Sequence, residues 1–426
     1  MALTLVQAPE IISPVNNPIP IVYSSSNASN VGLRYLLTII VFDVFPNDIG
    51  QTQLWIYPDS NHSDYMIYNV SMLLADYIGT DNYWNSGLTI HNEDMIEFIY
   101  GITEYIGDTA VDQLTDNNIY KVFRGVKQYG DFWRLSDYLM TKNPVGEFLT
   151  NWKTDRHFRE TDYATLKAFH GTVDISHTSY WSRALITTYE DDGTSVQYSI
   201  YPSGNPNKAY TGTTSIYTLP FGPKNLNYIG LHSDNYELYI YTGGTYHSFN
   251  GTPISSDVDY YSIVLQESGT SWDNTSETLY AYVDRNSSKF DGVQFLWLGD
   301  LGNYETFTFI AKDVKTYNIE KVESRKNYWD FNITYTYKIG DRGRRLVSVK
   351  TQEEHSVYTG WISSEISENL MELYRSPEVF IIQNDNIYPI IIMDKAIEEK
   401  TKLNNNNQMF FHTITFEMGY EKLSNI

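Results

Sequence analysis

Along much of this chain apolar and polar residues change places with a period of two. Phe410, Ile414, Phe416 and Met418 alternate with Thr413, Thr415 and Glu417, and Phe331, Ile333, Tyr335 and Tyr337 alternate with Asn332, Thr334 and Thr336. That is the signature of strands with one buried face. Residues 34–44, carrying Leu36, Ile39, Ile40 and Phe42, read as a buried strand, and 53–57 and 65–74 extend the pattern. A period near 3.6 shows in two places. In NEDMIEFIYGITEYI (92–106), Met95, Ile96, Phe98, Ile99 and Ile102 fall at helical spacing behind an acidic start, predicting a helix. In WISSEISENLMELYRSPEVF, Ser363 or Ser364 can cap a helix with Ile366, Leu370 and Leu373 on one face, and Pro377 ends it. Apolar runs 379–382 and 387–393 flank Asn384, Asp385 and Asn386, which suit a turn between two strands.

Punctuation divides these elements. Pro9, Pro14, Pro18 and Pro20 exclude helix from the first 29 residues and predict an extended arm able to lie along a neighbouring subunit. Residues 30–150 read as a β domain with the inserted helix at 92–106, and a boundary is placed in 135–152, where Pro144 and Gly146 break any period. Turn signals recur at short intervals from Tyr180 onward: 190–193 (EDDG), 203–207 (SGNPN) and 242–244 (TGG) lie between Tyr- and Thr-rich runs. They predict a sandwich-like middle domain over 151–290. Residues 291–426 read as a C-terminal α+β assembly domain. The expected fold class is therefore mainly β, sandwich- or barrel-like domains with a few short helices, multidomain α+β overall.

Composition supports this. A chain of 426 residues exceeds the size at which single cores stop growing, and its 37 tyrosines suit pleated surfaces. The absence of cysteine excludes disulfides and thiolate metal sites. No run approaches a membrane span, and no basic segment precedes a long apolar core at the start. The net charge of −22 argues against tight nucleic-acid binding, which depends on cations neutralising phosphates. The one basic cluster, Arg342, Arg344 and Arg345 around Gly343, reads as a strand-connecting turn.

Several of these stretches, taken in order, resemble a known family. Trp361, the helix carrying Leu370 and Leu373, Ser376-Pro377-Glu378-Val379, Tyr388-Pro389-Ile390-Ile391 and the closing strand are similar to the C-terminus of virion tail proteins from phages of Bacteroidetes hosts, including crAss-like phages. Upstream, WLGDLGNYETFTF (297–309) resembles that family's tryptophan, Leu-Gly, aromatic, Phe-x-Phe segment, and the opening from Gln7 to Ile19 resembles its start. PVGEFLTNW (144–152) is a weaker match. The resemblance implies a structural protein of the virion tail or neck, made in the host cytoplasm and assembled as a ring of identical subunits in a multiple of six. It would sit against neighbouring tail or neck proteins, with DNA passing through and no membrane contact, cofactor or metal. Pro9, Pro14, Pro18, Ile19, Trp361, Pro377, Val379 and Phe416 are the candidate assembly contacts.

The nine histidines show no metal-ligand spacing, and His91-Asn92-Glu93 lacks the Cys partners of a zinc deaminase. No nucleophile elbow, P-loop, dinucleotide fingerprint or EF-hand spacing occurs. Not an enzyme is thus the expectation, with two alternatives kept. One is a host-glycan-binding tail protein using exposed aromatics such as Tyr83, Trp84, Tyr180, Trp181, Tyr260 and Tyr261; the other is a virion-associated glycan hydrolase using a carboxylate pair. His412, on an apolar face, reads as a hydrogen-bonded core histidine.

Overall fold

The structure, a computed structural model, describes residues 3–43, 47–58, 64–79, 89–91, 94–127, 133–153, 155–172, 178–201, 215–231, 238–242, 245–268, 272–285, 292–325, 344–394 and 409–419. These residues are mainly β, with 29 strands and four helices. By packing, the chain divides into two units, Met1–Arg285 with Leu298–Glu305, and Asn286–Trp297 with Thr306–Ile426.

The first unit opens with β1 (Leu3–Gln7), β2 (Ile12–Pro14), β3 (Pro20–Ser25), β4 (Leu33–Phe42), β5 (Asp48–Ile56), β6 (Tyr65–Asn69), α1 (Ser71–Ala75), β7 (Thr89–His91), β8 (Met95–Ile106) and β9 (Thr109–Phe123). A three-stranded sheet, β1-β3-β6, and a five-stranded sheet, β2-β9-β8-β4-β5, share one core. Leu3, Ile21, Tyr23 and Met66 enter it from the first sheet, and Tyr35, Leu37, Ile39, Phe98, Tyr100 and Ile102 from the second. Inside this core the Asp116 carboxylate accepts from the hydroxyls of Tyr100 (3.0 Å) and Tyr120 (2.7 Å) and from the Asn118 amide (3.0 Å).

One expectation changes here. The stretch 92–106 does not form a helix: β8 pairs antiparallel with β4 and with β9 along nearly its whole length. Phe98, Tyr100, Ile102 and Glu104 are buried on alternate positions, a pattern the same residues carry beside the helical one. Gly101 and the β-branched Ile96, Ile99, Ile102 and Thr103 weaken a helix while fitting a pleat, so cross-strand pairing decides. The N-terminal residues described are extended and pair within their own chain. β1 pairs β3, β3 pairs β6, and β2 runs parallel to β9. Pro14 is accommodated because β2 is an edge strand.

The unit continues with α2 (Leu135–Tyr138), β10 (Arg156–Phe158), β11 (Thr165–Thr172), β12 (Thr178–Ser179), β13 (Arg183–Glu190), β14 (Ser195–Ile200), β15 (Ser215–Pro220), α3 (Pro223–Leu231), β16 (Leu238–Thr242), β17 (Thr245–Ser248), β18 (Val258–Ser268), β19 (Trp272–Asn274) and β20 (Leu279–Val283). An eight-stranded sheet, β10-β20-β18-β13-β14-β16-β17 with β19 on β18, lies over a four-stranded one, β12-β11-β15-β7. Ala184, Ile186, Tyr261, Ile263 and Leu265 meet Leu166, Ala168, Tyr217 and Leu219 between them, with Leu226 and Ile229 of α3 alongside. The β13–β14 hairpin turns at 190–193, where Gly193 takes φ +84°.

A third cluster joins the two sandwiches: Ile12, Met95 and Phe123 pack with Tyr138, Leu139, Leu149, Phe169, Ile216 and Leu301. The boundary expected in 135–152 is therefore interior to one unit. Its apolar residues fill the junction, which no local period reveals.

The second unit holds β21 (Val293–Leu298), β22 (Tyr304–Phe309), β23 (Asp313–Arg325), β24 (Arg344–Tyr358), β25 (Ile362–Ser363), α4 (Ser364–Arg375), β26 (Val379–Gln383), β27 (Asn386–Ile392), β28 (Met409–Phe410) and β29 (Thr413–Met418). β21 and β22 run into Leu298–Glu305 at one end. The seven-stranded sheet has the order β22-β21-β26-β27-β29-β24-β23, and β25 pairs β28 separately. Ser363 caps α4 by accepting from the Ile366 amide, and Leu370 and Leu373 are buried. The β26–β27 hairpin turns through Asn384 (φ 49°) and Asp385 (φ 61°), the two positive values a type I′ turn requires. Phe295, Phe309 and Phe416 form the aromatic centre, with centroids 4.6 and 5.3 Å apart. His412 is buried, with Nε2 2.8 Å from Ser367 Oγ.

Candidate assembly surfaces

The eight candidate contacts divide between the two units. In the first, Pro9, Pro14 and Ile19 are buried within their own chain, and only Pro18 is exposed. In the second, Val379 and Phe416 belong to the core, Pro377 is exposed, and Trp361 is 69% exposed. An indole this open is unusual for a large apolar group. Trp361 lies 5.9 Å from the half-exposed Phe411, itself 5.8 Å from Tyr358, so three aromatic rings form one surface patch.

A larger surface was not anticipated. β23 and β24 pair over thirteen registered positions, from Asp313↔Val357 to Arg325↔Arg344. β29 pairs with β24 only between Tyr358 and Glu354. Beyond Glu354, among the described residues, the two strands pair only with each other, as a ribbon roughly 30 Å long at about 3.3 Å per residue. Tyr317, Ile319, Val322, Leu346 and Val347 are each about half exposed on it. Lys315 is ion-paired to Glu353 across the ribbon, and that carboxylate holds the ammonium's pKa above its usual value. The sequence signal is faint because neither strand keeps an apolar face. Tyr317 and Ile319 share one side, Val322 lies on the other, and a bulge after Val322 shifts the register.

Three ion pairs are buried in the first unit. Lys121 meets Glu97 at 2.7 Å, Lys167 meets Asp94 at 2.6 Å, and Arg156 meets Glu305 at 2.8 Å. Thr150 and Asn303 donate to Glu305 as well, while Arg156 donates to Thr150. Each carboxylate is neutralised by a cation and so acts as a fastening between distant segments. Lys167 and Asp94 line a small cavity with Phe123, Arg124, Leu301 and Tyr304.

The features tied to the two alternatives can be placed. Asp191 and Asp259 are hydrogen-bonded to each other, which raises the Asp191 pKa. That contact is closer than the ~5 Å or greater separation of a glycosidase pair. Tyr261 and Trp181 are buried, and the Tyr261 hydroxyl donates to the Phe221 carbonyl. Tyr260 belongs to a row across the eight-stranded sheet: Tyr189 and Tyr260 at 4.5 Å, Tyr260 and Tyr282 at 5.4 Å, Tyr282 and His157 at 5.2 Å, with interplanar angles of 12°, 31° and 17°. Neighbouring rings in this row partly cover one another. Among the described residues, no three His, Asp or Glu side chains converge as a metal site, and no helix is long and apolar enough to cross a membrane. Tyr83, Trp84, Asn92, Glu93, Arg342 and the runs 203–207 and 331–337 lie outside the described residues.

Compared with known proteins, the chain matches no family model and no curated protein.

Proposed function

We propose that this protein is a structural component of a tailed-phage virion, assembling as a ring of identical subunits in the tail or neck through which DNA passes. The observation that carries the reading is the ordered resemblance of its opening, its 297–309 segment and its C-terminal succession to tail proteins of Bacteroidetes phages. The geometry is compatible in kind. Such a protein works by burying surface against its neighbours, and this chain offers the Trp361–Phe411 patch and the β23–β24 ribbon for that purpose. Its acidity suits a channel that DNA crosses without sticking.

The test is the mass of the purified full-length chain by light scattering, followed by negative-stain imaging of the same fraction. Rings whose subunit number is a multiple of six are expected. A monodisperse monomer across the concentration range would count against the reading.

A further inference from the structure

The β23–β24 ribbon has a cost that the described residues of the single chain do not offset. A two-stranded ribbon is at best marginally stable in water, because neither face is covered and few side chains gain by burial. Here both strands are exposed almost throughout beyond Glu354, and five apolar side chains stay half in water. Among the described residues β23 is also the terminal strand of its sheet, so its outward N–H and C=O groups form an open edge there. A projecting element with an open edge and apolar side chains on both faces gains most when a partner covers it.

Charge indicates which partner. The chain as a whole carries −22, yet Asp313–Arg325 and Arg344–Tyr358 together hold six Lys or Arg and five Asp or Glu. On the projecting part, 317–325 with 344–353, the balance is five cations to three acids. Arg344 reaches Glu323 only at 3.7 Å in an exposed position, which neutralises little. The ribbon is thus opposite in sign to the rest of its own chain, and another copy of that chain is a strongly acidic surface.

We infer that the β23–β24 ribbon is an arm that docks on the acidic body of a second copy of this chain, its cationic end steering the encounter and Tyr317, Ile319, Val322 and Leu346 being covered on docking. A contact of arm to body is heterologous, the kind that closes into a ring when the rotation between copies allows. The inference rests on the ring reading in requiring self-association, and adds which element makes the contact. Opposite charge sets the rate and partner choice, while covering the apolar side chains provides the affinity.

The absence of cysteine allows a direct test, since any introduced thiol is unique. Full-length Ile319→Cys carries a photoactivatable maleimide crosslinker, with Asn386→Cys, on the exposed β26–β27 turn, as the control. Irradiation should give covalent dimers and higher species from Ile319→Cys at least about fivefold above the control. Raising the salt to ~0.5 M, or adding Lys321→Glu with Arg344→Glu, should reduce them by a similar factor. Peptide mass mapping should place the attachment on a second copy. Crosslinks no more abundant than the control's, in a sample that images as rings, would overturn the arm and leave the ring reading standing. Neither rings nor crosslinks would overturn both. Thermal melting of each variant, expected to match the parent because the sites are exposed, separates loss of docking from loss of fold.

Discussion

Replacing Glu305 by Gln keeps the side chain's shape and a carbonyl oxygen for Thr150 and Asn303, but leaves the Arg156 guanidinium buried without its counter-ion. The two residues are 2% and 1% exposed in their side chains, so water cannot take over the lost role. Trp152 and Phe221 rings lie 5.3 and 5.5 Å from the guanidinium, and they stabilise a cation far less than a carboxylate does. Breaking one side of such a pair costs about 3–5 kcal/mol, whereas removing both charges in favour of apolar or neutral groups is often close to neutral. We therefore expect Glu305→Gln to lower stability by about 3–5 kcal/mol, and Arg156→Met with Glu305→Gln to recover all but about 1–2 kcal/mol. In a unit of this size the single change corresponds to a fall in Tm of roughly 6–12 °C. Urea unfolding followed by tryptophan fluorescence reads the effect directly, because Trp152 is buried beside the guanidinium. A single-variant loss under about 1 kcal/mol, or a double variant at which the two losses simply add, would refute the view that this pair fastens residues 150–156 to 303–305.

Three further outcomes follow from other sites. His170 is buried with Nε2 3.0 Å from the Trp181 carbonyl, and burial pushes its pKa down to about 4. The unfolded chain, titrating near 6.5, then binds the extra proton first, so His170's contribution falls as pH drops from about 6.5 to about 4, by about 3 kcal/mol in all. Urea midpoints of the parent and His170→Gln between pH 7 and pH 4.5 should show a shallower slope for the variant; parallel slopes would contradict this. Gly302 has φ +79°, and a Cβ there would sit 2.0 Å from the Arg124 carbonyl oxygen, so Gly302→Ala should cost at least about 2 kcal/mol in thermal melts. Trp361→Ser should leave the melting of the single chain within about 0.5 kcal/mol of the parent while weakening self-association by light scattering; a large loss of fold stability would show that the indole packs inside the chain.

Where neighbouring residues alone set conformation, the sequence was legible. The Ser363 cap, the end of α4 before Pro377, the Asn384–Asp385 turn and the alternation of Ile414 and Phe416 in β29 each depend on residues within a few positions, and each stands as read. His412 likewise finds a hydrogen-bonded core site. The β-rich class follows from the same period-two signal summed over the chain.

Tertiary structure decided whatever depended on a partner distant in sequence. MIEFIYGITEYI carries both helical and alternating periods, and β4 and β9 on either side chose the strand. The proline-rich opening is extended, but only the cores it enters show that Ile12, Ile19 and Ile21 pack within this chain. Pairings such as Arg156 with Glu305 leave no local trace, since charge neutralisation acts through space across some 150 positions. The ribbon escaped notice for the complementary reason. Periodicity reports a face that is buried, and these two strands, paired to each other and exposed on both sides, have none.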